Sequence, residues 1–293
     1  MPRHSVCRVT RDPAAAPKGA AALLLAPLGL IYLLFLLAPI SFFLAVSFLK
    51  YSATQLYTST PTLENYQRLL FDPFYTRIIL DTFRISATVT VITAVLAYAM
   101  AIELFRAGST LRGLMIFAAV APLMLGVIAR SYGWIVVLGQ SGLVNRVLLA
   151  TGLISSPITF IGTEFTVIVA LVHFMIPYML FPIFSALAGQ DRQLVPAAST
   201  LGARPVRAFL EVTLPLSRPG VMMGSALVFT LSAGSIVTPT LLGGRQVAMI
   251  GQTVYELVMS TFNWPLGAAA ACILVLCQLV VMFLYLGRAR HAG

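Results

Sequence analysis

The side chains that could do chemistry are few and scattered. Arg130, Tyr132 and Trp134 alternate along one apolar stretch, and His173 stands in another beside Met175, Pro177 and Tyr178. Asp81 and Arg84 lie three apart in a third, and Glu256 follows Tyr255 in a weakly amphipathic segment. Three scattered histidines make no metal constellation, and Cys7, Cys272 and Cys277 have no metal-binding spacing. Cys272 and Cys277 sit in an apolar run and read as inert core thiols. No nucleophile stands with a base and no carboxylate pair is clustered, which argues against a membrane enzyme. No GxxxxGK[ST] phosphate loop is present, so ATP is not handled by that route. What remains is the chemistry of charge in an apolar medium, where an ionisable group within a span is a functional candidate.

Two readings stand for Arg130, Tyr132 and Trp134: the outer gate of a pore, or a snorkelling arginine in an interfacial aromatic belt. Arg84 and Arg130 are both expected in the outer third of their helices. Asp81 and Arg84 can pair on one helix face, and Glu103 and Arg106 read as an interfacial pair. His173 is either a hydrogen-bonded packing residue or a functional group. Glu256 either faces a cation pathway or lies in a plain return segment.

These residues need a membrane scaffold. Of the 293 residues, 59% are hydrophobic and 10% charged, against roughly 25% charged in soluble domains. The mean hydropathy is +0.94. A spanning helix needs about 20 apolar residues. Six candidates qualify: Ala20–Phe48, Ile78–Phe105, Leu111–Gly139, Phe165–Leu187, Val221–Leu242 and Ala268–Leu286. The first is too long for a signal peptide and lacks a clear cleavage site, so an uncleaved helix is expected. The net charge of +10 reflects topology rather than nucleic-acid binding. With the N-terminus inside, twelve Lys and Arg fall on cytoplasmic segments against five outside, with Arg84 and Arg130 inside spans. Both termini are then cytoplasmic.

The stretch Val195–Gly220 is a polar, arginine-bearing insert between apolar runs. Ala197, Ala198 and Leu201 share a helical face. Gly202 suits the left-handed end of a short helix, and Pro205 suits the first position of the next. Ala203 and Arg204 fill the turn, and Phe209 with Leu210 gives the second helix an apolar contact. Pro215 and Pro219 prevent one straight helix from running into the membrane. From the residues alone, the insert is either a docking elbow or an amphipathic loop on lipid headgroups.

Ala197-Ala198, Gly202-Ala203, Phe209, Leu214-Pro215 and Pro219-Gly220 resemble the EAA loop of permease subunits of binding-protein-dependent ABC importers. Pro196 stands where that family usually has Glu, an acid that helps anchor the loop to the nucleotide-binding subunit. Ile128–Trp134, Gly142–Asn145, Pro177-Tyr178, Pro182, Thr238-Pro239, Leu242–Gly244, Asn263–Pro265 and Gly267–Ala269 resemble the PotB-like, spermidine/putrescine-type branch of the CysTW subfamily. The resemblance implies a MetI-like bundle of five core helices plus a peripheral first one. It also implies a second permease, usually a different chain, two ABC ATPase copies and a periplasmic binding protein in a bacterial inner membrane. The substrate implied is a polyamine or a related small organic solute; the shortage of buried acids weighs against a polyamine.

The expectation is therefore an all-α bundle of six spans with no sheet, cytoplasmic coupling helices and short helices in the outer loops, notably near Gln252–Ser260. The membrane domain covers 20–287, with a coupling loop at 191–218 and cytoplasmic tails at 1–19 and 288–293. The coupling loop uses Pro196, Ala197, Ala198, Leu201, Gly202, Ala203, Arg204, Phe209 and Pro215; the candidate gate is Arg130, Tyr132, Trp134 and Glu256. No catalytic residue, metal or cofactor is expected. The competing reading is a self-sufficient secondary transporter or channel, but internal repeats and mid-span acids are not evident.

Overall fold

The computed structural model describes residues 18–290 except 192 and 245. The N-terminal tail expected over 1–19 lies almost wholly outside the described residues, as do Arg192 and Arg245. In hydrocarbon no water satisfies a free N–H or C=O, so the apolar runs must close their hydrogen bonds within helices. Among the described residues, six helical stretches are long and apolar enough to cross a membrane.

The chain begins with α1 (Lys18–Ser47), which meets the bundle chiefly along the last helix. Then come a hairpin of β1 (Leu49–Ser52) and β2 (Leu56–Pro61), and the short helix α2 (Glu64–Phe71). Burial pushes the Tyr66 phenol above its usual range, so the hydroxyl stays a neutral partner of Ser47 Oγ at 2.8 Å. Asp72 caps α3 (Pro73–Arg106) by accepting from the Phe74 N–H, and Pro73 fits the first turn, where no N–H is needed. The next crossing uses α4 (Ser109–Val120) and α5 (Val127–Leu138), followed by the loop helix α6 (Leu143–Ala150). Thr163 caps α7 (Glu164–Ala188). An elbow of α8 (Leu194–Thr200) and α9 (Pro205–Ala208) leads into α10 (Leu214–Ala233). The return segment α11 (Ile250–Met259) precedes α12 (Trp264–Arg290). Asn263 Oδ1 accepts from the Leu266 N–H at the start of α12, and Pro265 sits in its first turn.

The bundle centres on α7, with α3 and α10 packed along it. Close approach rests on small residues. A Cβ built on Gly220 would stand 2.5 Å from the Pro182 carbonyl oxygen and 2.7 Å from the Ala186 Cβ. One on Gly224 would stand 2.6 Å from Met179 Sδ. On α3 the small polar residues Thr82, Ser86, Thr90 and Thr93 are buried. Thr82 Oγ1 also accepts from the Ile250 N–H at 2.9 Å, pinning the start of α11 to α3.

Three features differ from the sequence reading. First, the loop after α1 contains the β1–β2 hairpin, so the expectation of no sheet is corrected. Its Thr- and Tyr-rich strands have β-forming side chains, and Leu56 takes a φ of 66° at the turn. Second, the crossing expected as one helix over Leu111–Gly139 is broken. Pro122 sits in a tight 3-10 turn at Ala121–Met124, and α5 restarts after Gly126. Third, helix is continuous from Pro205 to Ala233. Pro215 cannot donate to the carbonyl of Glu211. The backbone widens into a π turn at Phe209–Thr213, with the Leu214 N–H on the Phe209 carbonyl. The prolines therefore bend the entry to α10 without interrupting it.

Replacing Gly220 with Val should force α10 from α7. Overpacking of this kind costs about 1–3 kcal/mol, and the expected outcome is a lower unfolding temperature of the purified protein in detergent, with Ser225→Ala nearly neutral as the comparison.

Candidate functional site

Two places gather the unusual residues: the elbow between α7 and α10, and a groove in the membrane-embedded face of α5 and α7.

At the elbow, α8 ends in a Schellman arrangement. The Ala203 N–H bonds to the Ala198 carbonyl and the Gly202 N–H to the Ser199 carbonyl, each at 3.0 Å. Gly202 has a φ of 85°, which a residue with a Cβ adopts only under strain. Arg204 is extended and precedes α9, with Pro205 in the first position. Pro196, Ala197, Leu201, Arg204, Val206 and Leu210 are exposed, Leu201 at 89%. Ala198, Ala203 and Pro215 are half-buried. The inner side is anchored. Phe209 meets Tyr98 of α3 edge-on with ring centroids 5.6 Å apart, and the Tyr98 hydroxyl shares a 2.6 Å hydrogen bond with Ser217 Oγ of α10. Arg207 pairs with Glu211 at 2.9 Å. Beneath the elbow lies a cavity of about 350 Å³ whose lining includes Phe105, Arg106, Leu187, Asp191, Phe209 and Thr213. The result is an apolar tip braced against two crossing helices.

The groove, about 510 Å³, is open on one side and lined by small residues such as Ala118, Ala129 and Gly133 together with Arg130, Trp134 and His173. The Arg130 guanidinium lies over the Phe174 ring, 4.4 Å from its centroid. Trp134 and His173 meet edge-on at 5.7 Å. Phe174 is about 15 Å along α7 from Glu164, and Arg130 stands at that level of the bundle. Arg130 sits in the first turn of α5, just after the break in this crossing. Its Nε and Nη1 are sealed from contact yet have no hydrogen-bond acceptor among the described residues. None of the ion pairs among those residues includes it. An arginine facing lipid at mid-span costs about 2.5–3.5 kcal/mol, so the groove calls for a polar filling.

Not all of the candidate gate residues meet there. Arg130 and Trp134 share a face at four-residue spacing, whereas Tyr132 is exposed on another side of α5. Glu256 is exposed on α11 and accepts a 3.0 Å hydrogen bond from Gln252. His173, which the sequence left between packing and function, joins the groove. Arg84, by contrast, is paired twice: with Asp81 at 3.2 Å, as the spacing indicates, and with Glu164 at 2.6 Å. Glu164 is distant in sequence and no local pattern signals it. Glu103 and Arg106 pair at 3.6 Å. The Gly142–Asn145 motif is a loop clamp: the buried Asn145 donates to the Gly139 and Ile158 carbonyls and accepts from the Ile158 N–H. No group of three or more His, Cys, Asp and Glu residues could hold a metal ion among the described residues.

The profile of the family described as binding-protein-dependent transport system inner membrane component matches residues 27–287. The chain is 34% identical over 251 residues to the spermidine/putrescine transport system permease protein PotB of Haemophilus influenzae, covering 86% of this chain and 87% of that one. Against PotB of Escherichia coli K12 it is 30% identical over 252 residues, covering 86% and 91%. Among solved structures, a chain of a bacterial ABC transporter involved in the import of the acidic polysaccharide alginate superposes with a TM-score of 0.75 at 17% identity. That superposition covers 94% of this chain and 96% of the other, and it establishes the shared fold. On these matches the chain belongs to the binding-protein-dependent transport system inner membrane components, as a multi-pass permease of an ABC importer whose ATP hydrolysis resides in separate subunits.

Proposed function

We propose that this permease pairs with a second, different permease chain to form the pathway for a polyamine or related small organic solute delivered by a periplasmic binding protein. Two ATPase copies drive it. The membrane domain covers 20–287, the elbow at 191–218 lies in the cytoplasm with both termini, and α8 and α9 dock on the motor. The observation that carries this reading is the braced elbow. An exposed apolar tip at Leu201 and Val206 is held by a Schellman turn and joined to α10 by unbroken helix. Motor movement at the tip then reaches α10 directly, and α3 through Phe209 and Tyr98. Polyamine is favoured because the PotB relatives are spermidine/putrescine permeases.

The face of α5 bearing Arg130 and Trp134, with His173 of α7, lines the pathway in this reading. A water-filled channel supplies the acceptors that lipid cannot. Tyr132 and Glu256, the other two candidate gate residues, stand apart from this wall.

Two experiments test the elbow. Gly202→Asp combined with Ala198→Arg should abolish co-purification of the ATPase and ATP-driven uptake while leaving the permease in the membrane; retained association and uptake would refute the docking role. Phe209→Ala leaves the tip intact but removes its brace. Expected is about a tenfold loss of uptake per ATP hydrolysed, with ATPase co-purification preserved. Uptake of radiolabelled spermidine and putrescine by cells expressing the complete importer checks the substrate.

A further inference from the structure

The groove poses a question that solute transport alone does not answer. A pathway wide enough for an organic solute is also wide enough for protons and potassium ions, and a membrane that stores energy as ion gradients cannot tolerate that leak. The groove wall is mostly apolar, with Ala118, Ala121, Ala129 and Gly133 among its residues and His173 as the titratable group beside the one guanidinium. Arg130 presents two sealed N–H-bearing nitrogens without an acceptor, and no carboxylate among the described residues lies close enough to neutralise it. Acids on other elements are engaged elsewhere: Asp81 and Glu164 hold Arg84, and Glu256 takes a hydrogen bond from Gln252. Phe174 holds the charge in place with aromatic surface rather than counter-charge.

We propose that Arg130 is a fixed-charge barrier that keeps the resting pathway closed to protons and inorganic cations. This rests on the pathway reading above. A lone positive charge in a narrow passage with low-dielectric walls is poorly screened, so its field excludes small cations even where water can enter. Phe174 beneath the guanidinium fixes the charge without cancelling it. The solute, in contrast, crosses only when ATP-driven movement of the helices opens the groove and hydrates the arginine. Barrier and carrier functions thus belong to different states of the same wall.

The test uses the importer assembled with its partner subunits in liposomes without ATP. Proton leak is read from a trapped pH-sensitive dye and potassium leak from a trapped potassium indicator. Arg130→Gln should raise both leaks by about tenfold or more, whereas Arg130→Lys should stay near the parent. Arg130→Cys, in a background with Cys7, Cys272 and Cys277 replaced by Ser, separates charge from shape. A cationic thiosulfonate reagent should restore tightness and a neutral one of similar size should not. If Arg130→Gln fails to assemble, Arg130→Met gives the same reading, with both leaks raised at a fixed pH so that His173 keeps one charge state throughout. An Arg130→Gln importer that hydrolyses ATP in response to loaded binding protein yet is as tight as the parent overturns the barrier. So does equal rescue by both reagents, which would mean that bulk or a neutralised pair seals the site. Absence of ATP-driven uptake by the parent complex would instead count against the pathway reading itself.

Discussion

Hydrocarbon offers no partner to a free backbone N–H or C=O, and most of this architecture follows from how the chain meets that constraint while carrying many prolines. Pro215 would leave a carbonyl open at the head of α10. The widened turn at Phe209–Thr213 re-routes the bonding so that helix runs from the elbow to Ala233. Pro239 needs no such device, because it stands in the first turn of a π segment at Pro239–Gly243, where no N–H is required. Pro122 is met differently, by a tight turn and a fresh start at Gly126. One solution preserves a rod that can transmit force; the other opens a break in the wall.

With no hydrophobic driving force between helices inside lipid, tight packing must come from shape. Gly220 and Gly224 let α10 lie against the backbone of α7, and the buried Ser and Thr of α3 add polar contacts that lipid could not supply. The brace at Phe209, Tyr98 and Ser217 extends that core toward the elbow. The elbow tip stays exposed while its base is part of the bundle, and this combination lets a surface loop move a membrane helix.

The parts of the molecule legible in the sequence were those set by local rules. Gly202 followed by Pro205 marks a helix end and a helix start within four residues, and the turn lies there. Asp81 and Arg84 pair because their spacing places them on one face. Span lengths emerge because hydrocarbon thickness fixes them. What local rules miss is where distant segments meet. Glu164 completes the Arg84 cluster from another helix, and the Thr82 hydroxyl reaches α11. The hairpin after α1 was obscured because its Tyr and Thr content reads equally as a polar loop. Proline was read as an interruption only at the entry to α10, where helix in fact runs on, and not within Leu111–Gly139, where Pro122 does break it. Which happens depends on whether neighbouring backbone can absorb the missing bond.

The contrast between the two arginines inside the crossings separates structure from function. Arg84 is joined to Asp81 and Glu164, so its charge is consumed in tying α3 to the start of α7. Arg130 lies deeper, where an unpaired charge is more costly, yet it has an aromatic ring beneath it and no acid beside it. Stability alone would favour an apolar side chain at that position, since replacing a buried charge by a well-packed hydrophobe is often neutral or stabilising. The arginine makes physical sense when the groove it faces is filled from outside this chain, by water or by a passing solute. That requirement links the break at Pro122, after which α5 begins with Arg130 in its first turn, to the work of the permease as a whole.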